Sequence, residues 1–143
     1  MKQQKGFSLI EVMVVLVIIG SIMALVAPNI LGNQEQAKID KARIDIQRLE
    51  DAMHMYKMQN NKFLTTEQGL EGLVTQTDID PVPKRFPEGG FIDKLPLDPW
   101  DNPYTLVSPG EFGKFDIFSM GPDGTPGTED DIGNWDQEEE SER

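Results

Sequence analysis

The apolar run over residues 7–28 constrains this chain more than any other feature. Its twenty-two residues are enough to cross a hydrocarbon layer of about 30 Å, and residues 12–27 carry no charge. One carboxylate, Glu11, lies near its start. A carboxylate inside a bilayer costs at least a few kcal/mol and usually has a partner, yet the run contains no cation. The sequence therefore predicts a membrane span whose Glu11 needs a cation from a cut chain end or from another subunit.

The flanking charges predict the orientation of this span. Lys2 and Lys5 precede it, whereas Glu35 and Asp40 are among the charges that follow it. The positive-inside tendency then places the first six residues in the cytoplasm and the rest of the chain outside it. A secretory signal peptide fits less well, because the run is too long and Pro28 follows its only small-residue exit. A plain single-pass anchor would leave Glu11 unexplained.

The segment KGFSLIEVMVVLVIIG resembles the class III signal of type IV pilins and pseudopilins. A short basic leader ends at Gly6, Phe7 follows, and Glu11 is the fifth residue counted from Phe7. The resemblance implies cleavage after Gly6 by prepilin peptidase, methylation of the new Phe7 amine, and later extraction from the membrane into a helical filament. It also implies that Glu11 of one subunit faces the Phe7 amine of a neighbour.

Beyond Pro28 the pattern is typical of an amphipathic helix. Lys41 and Asp45, four residues apart, are expected on its solvent-facing side. Joined to the apolar run, this stretch predicts one helix over about residues 7–60, with Pro28 and Gly32 as a kink or melting point. Apolar residues on the buried face recur at spacings of three and four, and they are Ile39, Ala42, Ile46, Leu49, Met53 and Tyr56.

The remaining residues predict a small α+β head. Thr65 and Gln68 form a capping box, which favours a short helix over about residues 66–74. The polar, proline-interrupted segment TDIDPVPKRFPEGG predicts an irregular connection. Strands are predicted over residues 104–107 and 115–119. Two or three short antiparallel strands against one helix make an α+β domain.

These patterns and the resemblance to pilins together imply three parts of the chain. A leader occupies residues 1–6, a transmembrane and filament-spine helix occupies residues 7–28, and a periplasmic head with the amphipathic half of the helix occupies residues 29–143. The arrangement resembles the type IV pilin-like fold, in which a long N-terminal helix packs on a small head. The resemblance implies that a C-terminal metal-binding loop completes this fold.

The stretch with chemical content is SMGPDGTPGTEDDIGNW. Asp123, Asp130 and Asp131 come together if the loop folds back on itself at Gly124, Pro126 and Gly127. Carboxylates at close range repel unless they are solvated or surround a cation. Calcium accepts roughly six to eight oxygens and mixes carboxylates with backbone carbonyls. The spacing does not fit an EF-hand. From these residues alone, an acidic surface turn and a calcium site are about equally supported.

Three segments narrow the resemblance to the major pseudopilins of the type II secretion system. They are TTEQGL, PEGGFIDKLPLDPWDNPY and FDIFSMGPDGTPGTEDDIGNW. The resemblance implies that the acidic loop binds calcium and that Glu129 faces solvent. The implied ligands are the side chains of Asp123 and Asp130, the carbonyls of Met120 and Thr125, and as further candidates Thr128 and Asp131.

The resemblance also implies a function without catalysis. The chain would form a homopolymer, the periplasmic pseudopilus, together with minor pseudopilins and an inner-membrane assembly platform, and the growing filament would drive folded proteins across the outer membrane. No serine, histidine and carboxylate grouping, phosphate loop or CxxC suggests an enzyme, and His54 is expected to be a surface or packing residue. A net charge of -12 disfavours nucleic acid as a partner.

Three alternatives remain open at the level of sequence. A type IV pilin shares the N-terminal signal, although most such pilins carry a C-terminal cysteine pair and this chain contains no cysteine. A minor pseudopilin would sit at the tip of the filament. A membrane-tethered calcium-binding module is the alternative from a different class of protein.

Overall fold

The computed structural model describes residues 6–136, except for the side chains of residues 25–31. Of the predicted leader, only Gly6 therefore lies within the described residues. Contacts divide the chain into a first unit that ends at Ala37 and a second that begins at Lys38. The class is α+β, as predicted, and its elements are α1 (Leu9–Asn60), a 3-10 helix (Leu70–Leu73), β1 (Thr105–Val107), β2 (Asp116–Ser119) and β3 (Ile132–Gly133).

The first unit is formed by the N-terminal part of α1, so the apolar run is helical as predicted. Its large apolar side chains are exposed on every face, from Leu9 at 81% to Met23 at 64%. The helical backbone continues through Pro28 and Gly32, so the predicted local melting is not present. Among the residues that the structure places, no helix combines the length and apolarity needed to cross a membrane. The last four residues of the predicted span, 25–28, belong to the part of α1 whose side chains are not described, so the span over residues 7–28 stays a prediction.

The core lies in the second unit and is organised by the C-terminal part of α1. The predicted apolar face is confirmed, because five of its six residues are buried and Ile39 packs against them at the edge. The head contributes Leu64, Leu73 and Ile117, all fully buried, to the opposite side of this core. A helical stripe at spacings of three and four residues buries one continuous face, and the small sheet covers it.

Asp45 corrects one prediction about α1. It was expected on the solvent-facing side, yet it is 5% exposed. Its carboxylate accepts hydrogen bonds from Lys41 Nζ at 2.6 Å and from the Tyr104 hydroxyl at 3.2 Å. Burial, and next the charge of Asp45, raises the pKa of Tyr104 above its ordinary value. Position 45 lies within reach of the buried stripe, and the hydroxyl that makes burial of its carboxylate tolerable comes from a distant part of the chain.

The predicted short helix is only partly correct. The capping box forms, because Thr65 N–H donates to Gln68 Oε1 at 3.0 Å and Gln68 N–H donates to Thr65 Oγ1 at 3.2 Å. The residues that follow form a turn and then the 3-10 helix instead of an α-helix over residues 66–74. Gly69 has φ 64°, a left-handed conformation that interrupts an α-helix at this point.

The sheet has the order β1-β2-β3, with both pairs antiparallel. Both predicted strands are confirmed within one residue at their starts, and β3 is the third strand that the sequence left open. Asp116 closes the turn between β1 and β2, because its buried carboxylate accepts hydrogen bonds from the backbone N–H groups of Glu111, Phe112 and Gly113. The segment over residues 77–90 contains neither helix nor strand, as predicted.

His54 is a packing residue, as expected. Its side chain is 54% exposed, and its ring meets Phe63 and Phe115 edge-on with centroids 5.7 Å apart in each case. Glu50 Oε1 lies 3.9 Å from its Nε2 atom.

Candidate functional site

The start of α1 is the first candidate functional site, and Ser8 and Glu11 define its geometry. Ser8 N–H donates to Glu11 Oε2 and Glu11 N–H donates to Ser8 Oγ, both at 3.4 Å. This is a reciprocal capping box, and a carboxylate in the first turn is also favoured by the helix dipole. The run contains no cation for Glu11, but Ser8 is a local hydrogen-bond partner that the first expectation for this residue lacks. The signal S-x-x-E at residues 8–11 indicates this pair.

Phe7 and Glu11 line one shallow depression on this helix. Val12, Val15 and Leu16 complete it, and its volume is about 260 Å³. Phe7 is 83% exposed, so neither the peptide bond at Gly6 nor the Phe7 side chain is covered within the described chain. The capping box occupies one Glu11 oxygen through a single long hydrogen bond. The other oxygen of the carboxylate can accept a hydrogen bond from a further donor.

The C-terminal acidic loop is the second candidate functional site, and it follows β2 directly. Asp130 Oδ2 accepts a hydrogen bond from the backbone N–H of Asp123 at 3.3 Å, so the carboxylate of one predicted calcium ligand lies against the backbone of the other. Asp123 Oδ1 accepts from Thr125 N–H at 2.7 Å. Glu129 is exposed, as predicted. The loop is thus a closed turn that holds two carboxylates near one another.

The hydroxyl of Thr128 lies close to three oxygen atoms of the acidic loop. It lies 2.6 Å from Asp130 Oδ1, 3.0 Å from the Thr125 carbonyl oxygen and 3.5 Å from Asp131 Oδ1. The hydrogen bond from Thr128 is the main cause that lowers the pKa of Asp130, and the N–H of Asp123 acts in the same direction. Asp131 accepts from Gly127 N–H at 2.7 Å. Met120 is half-buried immediately before the loop.

Gly121 permits the loop to close. Its φ is 61°, and a Cβ atom built on it would collide with the Asp130 carbonyl oxygen and lie 2.9 Å from Asp130 Oδ2. Only glycine adopts this left-handed conformation without strain and leaves room for the returning strand. The sequence predicts that Gly124, Pro126 and Gly127 fold the loop back, and both of these glycines also have positive φ, 64° and 85°.

Asp98 stabilises the start of the acidic loop through Ser119, and the sequence does not predict this role. The side chain is 3% exposed, and its Oδ1 accepts from the N–H groups of Trp100 at 3.0 Å and Asn102 at 2.8 Å. Its Oδ2 accepts from Ser119 Oγ at 2.6 Å, and Ser119 Oγ accepts from Gly121 N–H at 3.2 Å. The sequence D-P-W-D-N signals an Asx-type turn at Asp98, but nothing in it indicates Ser119.

The donor set of the acidic loop fits calcium chemically. Calcium prefers oxygen ligands and combines carboxylates with carbonyls, which is what Asp123, Asp130 and the Thr125 carbonyl offer. Within residues 6–136, no group of three histidine, cysteine, aspartate or glutamate side chains is arranged to hold a metal ion. A site here would therefore need carbonyl oxygens beside its two carboxylates. The predicted ligand set has this composition.

Comparison with known proteins first defines the class of protein. A motif described as the prokaryotic N-terminal methylation motif matches residues 1–27, and the long helix with its α+β head is the pilin-like fold. A family described as type II secretion system (T2SS), protein G matches residues 29–135. The chain belongs to the type II secretion system protein G family, and the resemblance to major pseudopilins is confirmed.

Several relatives support this assignment over nearly the whole chain. Type II secretion system core protein G of Aeromonas hydrophila is 56% identical over 134 residues, which is 94% of each chain. The protein of the same name from Klebsiella pneumoniae is 51% identical over 94% of this chain and 96% of its own. The crystal structure of the major pseudopilin from the type 2 secretion system of enterohaemorrhagic Escherichia coli matches with a TM-score of 0.72 and 46% identity. That match covers 75% of this chain and 90% of the other.

Proposed function

We propose that this chain polymerises into the helical pseudopilus of a type II secretion system and that growth of the filament drives folded proteins across the outer membrane. The observation that carries the proposal is the exposed apolar surface of α1. Consecutive side chains over residues 12–19 are each 47–68% exposed, so every face of the helix is apolar and uncovered. Such a surface is stable only when lipid or other apolar helices cover it. In the filament, the identical helices of neighbouring subunits cover it.

The N-terminal segment takes part in two successive states in this proposal. Before assembly, residues 7–28 lie in the inner membrane, with the leader in the cytoplasm and the head in the periplasm. Prepilin peptidase cleaves between Gly6 and Phe7 and the Phe7 amine is methylated. The methylation motif over residues 1–27 supports this processing. Loss of Lys2 and Lys5 with the leader takes the formal charge from -12 to -14.

Assembly requires partners and no catalysis by this chain. The inner-membrane assembly platform adds subunits, minor pseudopilins form the tip, and the work comes from polymerisation. Glu11 of an entering subunit pairs with the methylated amine of a neighbour. The depression that contains both Phe7 and Glu11 supports this contact, because it places an uncovered carboxylate oxygen in apolar surroundings.

Calcium stabilises the head in the same proposal. The ion is held by the carboxylates of Asp123 and Asp130 and the carbonyls of Met120 and Thr125, and further oxygens come from Thr128 and Asp131. When bound, it supplies positive charge between carboxylates that otherwise repel. The contacts of the Asp130 carboxylate with the Asp123 backbone N–H and the Thr128 hydroxyl support this arrangement, because they hold Asp123 and Asp130 in one turn.

Calcium should raise the melting temperature of the purified chain, and Asp123→Ala or Asp130→Ala should each abolish the rise. At a calcium concentration of 100 times Kd the gain is about 2.7 kcal/mol. For a head of this size, that gain corresponds to a rise of about 10 °C or more. The measurement is thermal unfolding of the full chain in detergent, with calcium and with a chelator.

Glu129→Ala is the matched control for this experiment. It removes one carboxylate from the same loop at an exposed position outside the proposed ligand set. We expect it to keep the full calcium response. Equal melting temperatures of the unsubstituted chain with calcium and with chelator would contradict calcium binding. The loop would then be an acidic surface turn.

A further inference from the structure

A basic cavity lies at the C-terminal end of α1, and neither candidate site includes it. Its volume is about 640 Å³, and it lies between the last turn of the helix and the irregular segment over residues 81–85. Lys62, Lys84 and Arg85 line it, and no carboxylate does. We call this surface the basic cavity. In a chain of net charge -12, three cations around one concave surface are a marked local excess of positive charge.

The three cations of the basic cavity are available to a partner. Each is exposed, and none has an ion-pair partner in the part of the chain that the structure describes. Positive groups around a concave, low-dielectric surface focus the electrostatic potential and attract anionic groups. The cavity is therefore suited to an acidic ligand.

Amide side chains hold the wall of the basic cavity in place, although its backbone forms no helix or strand. Asn60 Oδ1 accepts from Arg85 N–H and Asn60 Nδ2 donates to the Arg85 carbonyl, both at 3.0 Å. Gln68 Nε2 donates to the Pro81 carbonyl at 3.1 Å, and Gln76 Nε2 donates to the Pro83 carbonyl at 3.3 Å. A wall fixed in this way loses little conformational entropy when a ligand binds.

The basic cavity also has an apolar part. Met58 is 82% exposed and Val82 is 46% exposed, and both line it. The long alkyl stems of the lysines add further apolar surface. These features fit a peptide segment better than a small inorganic anion, because a peptide presents backbone and methylene groups together with its carboxylates.

We propose that the basic cavity binds the acidic segment, residues 138–142, of a second copy of this chain. The sequence of this segment is EEESE, so four of its five residues carry carboxylates. It lies outside the described residues, and its negative charge is complementary to the three cations of the basic cavity. A cavity on one copy that takes a segment of the next makes a heterologous contact, which generates an open helical filament instead of a closed dimer.

This inference rests on the proposed polymerisation. Subunits with a formal charge of -14 after loss of the leader repel one another at the spacing of a filament. A contact between a basic cavity and an acidic segment replaces part of this repulsion with attraction at each step along the filament. It acts between heads, whereas Glu11 and the apolar surface act between spine helices.

Disulfide cross-linking between two copies tests the inference, and the absence of natural cysteines leaves no background. One copy carries Arg85→Cys and the other carries Glu139→Cys, and the two are expressed together in cells that assemble filaments. After mild oxidation of sheared filaments, we expect a covalent dimer that needs both substitutions. Lys114→Cys replaces Arg85→Cys in the matched control, because Lys114 is an exposed cation outside the cavity, and no dimer is expected.

A charge exchange gives a second, independent result. Lys84→Glu with Arg85→Glu should lower the yield of filaments at least tenfold, and Glu139→Lys with Glu140→Lys in the same chain should restore most of it. Filaments of normal yield without the covalent dimer, or without any effect of charge reversal, would overturn the inference and leave polymerisation intact. Failure of the unsubstituted chain to form filaments would instead contradict the proposed function itself.

Discussion

Glu11→Ala should reduce the yield of assembled filaments by at least a hundredfold. The carboxylate is proposed to neutralise the methylated amine of a neighbouring subunit inside the apolar spine, and an unpaired charge in such surroundings costs at least a few kcal/mol. The effect should appear in assembly and not in expression, because Glu11 lies outside the core of the head. The measurement compares the chain recovered in sheared filaments with the total chain in the same cells.

The capping box allows the charge of Glu11 to be separated from its role in starting the helix. Glu11→Gln keeps an acceptor for the Ser8 N–H and removes the charge, so we expect it to fail as completely as alanine. Ser8→Ala keeps the charge and removes the hydroxyl that caps the Glu11 N–H, and it should assemble within about twofold of the unsubstituted chain. Normal assembly of Glu11→Gln together with failure of Ser8→Ala would show that capping is the essential role.

Asp98→Ala should lower the free energy of unfolding of the head by about 3 kcal/mol or more. Removal of the carboxylate leaves the Ser119 hydroxyl and the N–H groups of Trp100 and Asn102 without their acceptor, and each buried unsatisfied group costs about 1 kcal/mol or more. The measurement is urea unfolding of the full chain in detergent, compared at constant slope.

Two further substitutions control the Asp98 experiment. Asp93→Ala removes an exposed carboxylate from the same region and should change stability by less than about 0.5 kcal/mol. Ser119→Ala removes one donor to Asp98 and one acceptor for Gly121 N–H, and should fall between the two. Unfolding of Asp98→Ala at the same urea concentration as Asp93→Ala would contradict the anchoring role of Asp98.

Features of the fold that depend on local sequence could be predicted. The buried face of α1 follows from apolar spacing alone, and the Thr65–Gln68 capping box follows from two residues three apart. Burial of Asp45 could not be predicted in the same way, since its partner Tyr104 lies 59 residues away. The sequence predicts an α-helix over about residues 66–74, whereas the structure has a turn and a 3-10 helix there. The difference arises at Gly69, because the sequence does not show that this glycine adopts a left-handed conformation.

The candidate sites show the same division. The turn that joins Asp123 to Asp130 could be inferred because glycines between two carboxylates favour a closed loop. The Ser8–Glu11 pair has a local signal, S-x-x-E, but an apolar run after Glu11 also predicts a membrane helix, in which the carboxylate calls for a cation and not for a capping partner. Asp98 was missed because its contact with Ser119 joins segments 21 residues apart, and no periodicity or motif encodes such a contact.

Intact mass of the chain recovered from purified filaments distinguishes a pseudopilus subunit from a membrane-tethered module. We expect filaments built from this chain, with a mass that corresponds to a polypeptide beginning at Phe7 and carrying one additional methyl group. A chain that retains Met1 or Lys2 and remains in the membrane fraction without filaments would contradict this expectation. That outcome would leave a tethered module with an acidic loop, and the contacts proposed for Phe7, Glu11 and the basic cavity would have no role.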